Sequence, residues 1–282
     1  MSTPWGRKHL RRMALIDGDS LLASAKRYDL QASVGGRMVP VLGIGAVFTP
    51  DSQRGRGHAR ALLDLMIEDA VSRQCAFALL FSEIGAEYYE RAGFQTLRRS
   101  LVSIDVRPPV SRGAPATFVR SGEEKDLEKI AEISARYRGG AGFSLDRSAE
   151  FIAFMLARRR LLAGFGPPGT RQVEFFVSEE GDRPVAYVLI SRGPRGAVLE
   201  ECGDYDPSGA RIGSMLQVLA ARTPAEPGPR LSGWLPPSIR PSQLIVQEDI
   251  PPAEIMMIRP LRPLASSLQE LTPVVYWQTD VF

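Results

Sequence analysis

The sequence predicts an α/β protein with mixed sheets, built twice in tandem along 282 residues. Three observations support this. Gly35-Gly36 is a hairpin turn signal between two strand-like runs, which makes those strands antiparallel neighbours. Met38 to Phe81 reads strand, amphipathic helix, buried strand, a βαβ unit whose strands lie parallel across a right-handed crossover. From Thr117 onward the same kinds of element recur in a matching order, as a diverged duplication would give.

Met13 to Ile16 is a short strand stopped by Asp17-Gly18-Asp19, and Leu21 to Val34 is a longer one. Met38 to Phe48 is apolar with almost no alternation and therefore reads as buried on both faces. Gly43 and Gly45 within it allow close backbone approach or a bulge. From Ala59 the period becomes helical: Leu62, Leu63, Met66, Ile67 and Ala70 form one stripe, with Arg60, Asp64, Glu68 and Asp69 opposite. Cys75 to Phe81 is a seven-residue apolar run, hence a fully buried strand. Ala86 to Arg91 is a short helix ending at Gly93, and Phe94 to Val106 holds one or two further strands.

The proline-rich stretch after Pro108 reads as a linker. The expected divisions are a first domain at 1–108, a linker at 109–116, a second domain at 117–263 and a tail at 264–282. The second domain opens with a strand at Thr117 to Arg120 and helices at Glu123 to Tyr137 and Ala149 to Ala163. Strands at Val173 to Val177, Val185 to Ser191 and Ala197 to Glu201 follow, then a helix at Gly209 to Ala221. Leu231 to Trp234 and Ile255 to Arg259 are late strands. The first copy lacks the opening elements of the second. Val274 to Phe282 is aromatic and apolar to its last residue, so it is expected to dock rather than extend into water.

Hydrophobic content of 44% and charged content of 24% fit a globular chain. The net charge of +3 is too small to indicate nucleic-acid binding. Arg7, Lys8, Arg11 and Arg12, and separately Arg158 to Arg160, read as solvated faces rather than phosphate tracks. Cys75 and Cys202 make no disulfide framework, so the expected compartment is the reducing cytoplasm. Asp17 and Asp19 interrupt any signal-peptide core, and Val39 to Phe48 is too short to span a bilayer. No metal, nucleic acid or membrane partner is expected, and a homo-oligomer is left open.

The chemistry concentrates in Val47 to Ala59, VFTPDSQRGRGHA. A strand end, a loop of exposed N–H groups and a helix N-terminus together make an anion site. Gly55 and Gly57 remove side chains from the loop, and Arg54 and Arg56 supply charge, at the spacing Arg54-x-x-Gly57-x-Ala59. His58 reads as a ligand-adjacent residue rather than a catalyst. There is no Gly-Lys-Ser/Thr, which excludes a nucleoside triphosphate loop. Gly43-x-Gly45 lies inside a strand, so it is no dinucleotide fingerprint. A plain surface turn, or an Arg-Gly contact to nucleic acid, remains as the alternative. Leu80 to Phe94, LFSEIGAEYYERAGF, starts at the end of the next parallel strand, where ligands of such sheets bind.

With VFTPDSQRGRGHARALL followed by Ala-x-x-Tyr-Glu-Arg-Ala-Gly-Phe, the chain resembles the GCN5-related N-acetyltransferase (GNAT) superfamily across roughly Leu42 to Phe94. The duplicated layout is similar to its enhanced-intracellular-survival type, which has two acetyltransferase-like halves. The resemblance implies a mixed-sheet acyl-CoA N-acyltransferase fold in two tandem halves, acetyl-CoA as cosubstrate and an amine-bearing acceptor attacked directly. It assigns the pantetheine amides to main chain at Ala46, Val47 and Phe48, and the pyrophosphate to Arg54, Gly55, Arg56, Gly57, His58 and Ala59, with Ser82 also at the coenzyme. Tyr89 matches the tyrosine that protonates the departing thiolate, while Tyr88 is left to pack. A thiolate of pKa near ~8.5 can take a proton from a phenol near ~10 when the two are held in contact. The same type uses its terminal carboxylate, which here is that of Phe282. Glu83, at the end of the buried strand, is the other candidate base, and equally an acceptor for backbone N–H groups.

The chain departs from this pattern in lacking the first strand and helices before Met13 and the type's large C-terminal domain. The second half's loop, Asp206 to Gly213, lacks paired glycines, so no coenzyme is expected there. Glu200, Glu201, Asp204 and Asp206 either steer a cationic acceptor or form a solvated loop. The competing function is a non-catalytic GNAT-fold module acting as a CoA-binding sensor or scaffold.

Overall fold

Two mixed sheets form: the first takes three strands from the second half of the chain, and the second takes one from the first half. The computed structural model describes residues 3–97, 101–108, 117–138, 141–167, 172–193, 196–222, 231–263 and 271–282. The expected linker at 109–116 and the start of the tail at 264–270 lie outside the described residues.

The chain opens with helix α1 (Pro4–His9), whose Thr3 cap accepts from Gly6 N at 3.2 Å. Strands β1 (Leu10–Asp17), β2 (Ser20–Val34) and β3 (Arg37–Phe48) follow as a meander. Gly35 and Gly36 turn the second hairpin at φ +52° and +80°, a conformation in which a side chain would be strained. Helix α2 (His58–Ser72) then crosses to β4 (Phe77–Ser82), which pairs parallel with β3. Helix α3 (Glu87–Glu90) and strands β5 (Gln95–Thr96) and β6 (Leu101–Val106) complete this half in sequence.

The second half runs β7 (Phe118–Ser121), α4 (Leu127–Ala135), β8 (Phe143–Leu145) and α5 (Ala149–Gly164). Next come β9 (Gln172–Glu180), β10 (Arg183–Gly193), β11 (Gly196–Asp204) and α6 (Ala210–Ala221). It finishes with β12 (Leu231–Gly233), β13 (Leu244–Ile250), β14 (Ile255–Pro260) and β15 (Val274–Val275). Parallel pairing of β11 with β12 around α6 repeats the βαβ unit of the first half.

The first sheet has the order β15-β8-β2-β3-β4-β14-β5 with β1 on β2, and the second β13-β6-β12-β11-β10-β9-β7. Thus β6 lies in the second sheet, between β12 and β13, while β14 lies in the first, between β4 and β5. Hydrophobic pattern identifies both as strands but does not say which sheet edge each one finds.

One face of the first sheet packs Ala23, Ala25, Leu42 and Ile44 against Leu62, Leu63, Met66 and Ile67 of α2. The other packs Tyr28, Leu30, Ala32, Phe77 and Leu79 against Trp5, Phe151, Phe154 and Met155. At about 1.5–3 kcal/mol per buried large side chain, this second interface is a major stabilising contribution. Helix α5, from the second half, therefore covers this face of the first sheet. The six-residue α1 helps it, and is too short to show any helical period in sequence.

Candidate functional site

Strands β3 and β4 part company before they end. Their parallel register runs from Val41↔Phe77 to Ile44↔Leu80, yet β3 continues to Phe48 and β4 to Ser82. A bulge lies at the same level: between Ser24↔Phe48 and Lys26↔Gly45, β3 advances one residue more than β2. Ala46 takes up the extra residue at φ +49°, a left-handed value uncommon for alanine. Beyond Ile44 and Leu80 the two strands no longer pair, which leaves an opening at their carboxyl ends between main chain of Ala46, Val47 and Phe48 and that of Phe81 and Ser82. Ser82 is buried and its Oγ donates to Gly85 O at 2.5 Å, which fixes the turn after β4. Glu83 stands exposed on that turn without a partner among the described residues.

Beyond Phe48 the chain makes one turn, with Gln53 N donating to Pro50 O at 2.8 Å and Arg54 N to Asp51 O at 3.3 Å. Gly57 then caps α2 at φ +82°, where an L side chain costs about 1–2 kcal/mol. Main-chain N–H groups from Gly55 to Arg60 have no main-chain acceptor among the described residues. They converge at the positive end of a fifteen-residue helix, which favours an anion. Arg54, Gly55, Arg56 and Gly57 are exposed, while His58 and Ala59 are half-buried in the first helical turn. Arg54 pairs with Asp51 at 2.8 Å, but both side chains are largely exposed, so the pair is worth no more than ~1 kcal/mol and is readily exchanged. Arg56 makes no side-chain hydrogen bond or ion pair with the described residues.

Tyr89 lies on α3 with its ring packed edge-on to Tyr88 at 5.0 Å and Phe94 at 6.0 Å. Its residue is buried, and its hydroxyl makes no hydrogen bond with the described residues. Burial, and secondarily the neighbouring Tyr88, push the phenol above its ordinary pKa of 10. Tyr89 therefore stays protonated at any physiological pH. Arg60 Nη1 donates to Arg91 O at 2.6 Å and Arg259 Nη1 to Ala92 O at 2.7 Å, which fix the end of α3 from two sides.

Phe282 lies on the α5 side of the sheet, over β3 beside this opening. Its ring stacks on Tyr28 at 4.6 Å and meets Phe81 edge-on at 5.3 Å. A Cβ at Gly45 would stand 2.8 Å from Phe282 O, and one at Gly43 would stand 2.9 Å from Phe282 Cζ. The two glycines thus give room for the end of the chain. Arginines of the second half hold it there: Arg158 Nη1 donates to Val281 O at 2.7 Å, and Arg159 to Gln278 O. Arg147, itself buried, bridges Asp280 and Glu201 and also donates to Thr279 Oγ1 at 3.2 Å. Glu201 further accepts from Tyr187 at 2.6 Å and Thr279 at 2.9 Å.

These contacts correct two expectations. Arg158 and Arg159 are not a solvated face, because the tail covers them. Glu200, Glu201 and Asp204 are not a solvated loop either, since all three are buried on β11. Only Asp206 lies on a turn. Asp204 accepts from Arg211 N at 3.0 Å and Asp206 from Ser208 N at 2.9 Å, so the N-terminus of α6 is closed by the chain's own carboxylates. A cavity of about 640 Å³ lies against the second sheet, lined by Ser103, Arg159, Ser191, Glu200 and Gln278. No group of metal-ligating side chains occurs among the described residues, and no described helix is long and apolar enough to cross a membrane.

Residues 6–97 match the family model described as an acetyltransferase (GNAT) domain. Among solved structures, a GCN5-related N-acetyltransferase from Anabaena variabilis ATCC 29413 superposes with a TM-score of 0.65 at 15% identity, over 92% of this chain and 64% of that one. A probable N-acyltransferase from Enterococcus faecalis V583 gives 0.66 at 14% identity, over 90% and 63%. Eis1 from Mycobacterium abscessus gives 0.55 at 15% identity, over 89% and 64%. The chain thus spans less than two thirds of each, and the likeness is one of fold. No curated protein matches the chain by sequence. Residues 6–97 thus match an acetyltransferase (GNAT) domain, and the chain as a whole has the mixed α/β fold of the GCN5-related N-acetyltransferases it superposes on.

Proposed function

We propose that the first half transfers an acetyl group from acetyl-coenzyme A to an amine, and that the second half positions the tail. The observation that carries this reading is the opening between β3 and β4, with a run of unpaired N–H groups at one end and Phe282 beside it. Main chain at Ala46 to Phe48 is suited to pair with the amides of the pantetheine arm, as an added strand would. The loop from Arg54 to Ala59 is suited to hold the pyrophosphate. Bound there, the coenzyme supplies the thioester, and everything else required is in the chain.

Tyr89 donates its proton to the departing thiolate. Its raised pKa keeps that proton in place until the sulfur becomes basic. The amine must also lose a proton, and the main-chain carboxylate of Phe282 is the better placed of the two candidates. Glu83 is exposed on the turn, whereas Phe282 lies over Gly45. The second half binds no coenzyme in this reading, because carboxylates already close the N-terminus of α6. A cytoplasmic location fits the two buried, unpaired thiols.

Thiol release from acetyl-coenzyme A in the presence of simple amines tests the reaction. Turnover above the no-enzyme rate is expected, and removal of Phe282 should lower it at least tenfold with coenzyme binding retained. Full activity without Phe282 would exclude its carboxylate as the base. Coenzyme binding with no thiol release would leave a sensor or scaffold in place of an enzyme.

A further inference from the structure

Cations gather beside the opening, and none of them is paired with a carboxylate side chain at ion-pair distance among the described residues. Arg12 of β1 and Lys26 of β2 are directly opposed, and Lys26 is in turn opposed to Gly45 of β3. All three lie on one face. Lys26 shares its side of β2 with Tyr28 and Leu30, which pack with α5, and Leu10 two residues before Arg12 packs there too. Two like charges opposed across a strand pair are unfavourable, so the arrangement is not explained by stability. Arg158 adds a third charge from α5. It reaches Val281 O at 2.7 Å and interacts with the hydroxyl of Tyr28, one turn of the pleat from Lys26.

None of the three forms an ion pair with a described residue, and Phe282 forms none either. Lys26 is half-buried, and its pKa is lowered by burial, then by Arg158 and Arg12. Phe282 O stands over Gly45, next to Lys26 in the same row across the sheet.

We propose that Arg12, Lys26 and Arg158 form a carboxylate-binding subsite beside the point of acyl transfer, so that one of the two reactants carries a carboxylate. This rests on the acyltransfer reading and adds the class of substrate to it. The carboxylate comes either with the acceptor, as in an amino acid, or with the acyl group, as in a half-thioester of a dicarboxylic acid. In both cases the amine nitrogen forms the new C–N bond and the C–S bond breaks. The sulfur leaves with the electron pair and is protonated, the amine gives up its proton to the base, and the recognised carboxylate is unchanged.

Rates of thiol release separate the two sources. One arm compares γ-aminobutyrate with butylamine as acceptors of acetyl-coenzyme A. The other compares succinyl- with acetyl-coenzyme A on butylamine. The carboxylate-bearing reactant should be favoured about tenfold or more in one arm, the worth of a charge-assisted hydrogen bond. Lys26→Glu should remove or invert that preference, and Arg12→Glu should reduce it. A preference near unity in both arms, or one unmoved by Lys26→Glu, overturns the subsite while leaving acyl transfer intact. Where no pair turns over, calorimetric titration of the coenzyme A-saturated protein with glutarate decides. Binding lost in Lys26→Glu supports the subsite, and absence of binding overturns it. Failure of coenzyme A itself to bind would instead remove the acyltransfer reading.

Discussion

Arg147→Met is expected to destabilise the protein by about 3–5 kcal/mol, because it leaves buried charge without its partner. Glu201 is wholly buried and Asp280 nearly so, and the Arg147 guanidinium lies between them. For a chain of this size that corresponds to a fall in melting temperature of roughly 10 °C or more. Activity should fall further than stability. Asp280 also accepts from Trp277 N at 3.0 Å, and Thr279 is bound by both Arg147 and Glu201, so the network sets the path of the last seven residues toward the opening. Combining Arg147→Met with Glu201→Gln and Asp280→Asn should recover much of the melting temperature, since no buried charge is then left alone. It should not recover turnover, because the tail has lost its anchor. A shift in melting temperature under about 2 °C for the single variant would show that the carboxylates find other partners.

Tyr89→Phe is expected to lower turnover by about 10²–10⁴-fold while leaving coenzyme affinity unchanged. The change removes a hydroxyl that makes no hydrogen bond in the fold, so no buried group is orphaned and stability should move by less than about 0.5 kcal/mol. A pH profile adds a second readout. The working form of Tyr89 is the protonated one, and its pKa lies above 10, so wild-type turnover should not decline from this group below pH 10. Any rise with pH at the acid end belongs to the groups that deprotonate the amine, and Tyr89→Phe should leave that limb in place. Unchanged turnover in the variant would remove the acid role.

Most individual elements were legible in the sequence, because each has its own period. Met38 to Phe48, the stripe from Leu62 to Ala70 and the run from Cys75 to Phe81 all become the elements their patterns indicate. The loop glycines were legible for a different reason: Gly55 and Gly57 adopt the left-handed backbone that the turn into α2 demands. What sequence could not show is partnership across distance. The exchange of β6 and β14, the cover that α5 provides and the linking of Arg147 to Asp280 all join residues far apart in the chain. Short elements such as α1 and β8 carry too few residues to show a period at all. The same limit explains the two corrections. Arginines and carboxylates look solvated in sequence unless the residue that buries them is known, and here that residue lies in the tail.

Calorimetric titration with acetyl-coenzyme A tests the central claim most directly. One site per chain is expected, in the first half. Binding should weaken when Gly57 is replaced by valine, which cannot hold a φ of +82° without strain. Replacing Gly209, at the corresponding position before α6, should leave coenzyme affinity unchanged. No binding at millimolar ligand, or a second site lost with Gly209, would contradict it.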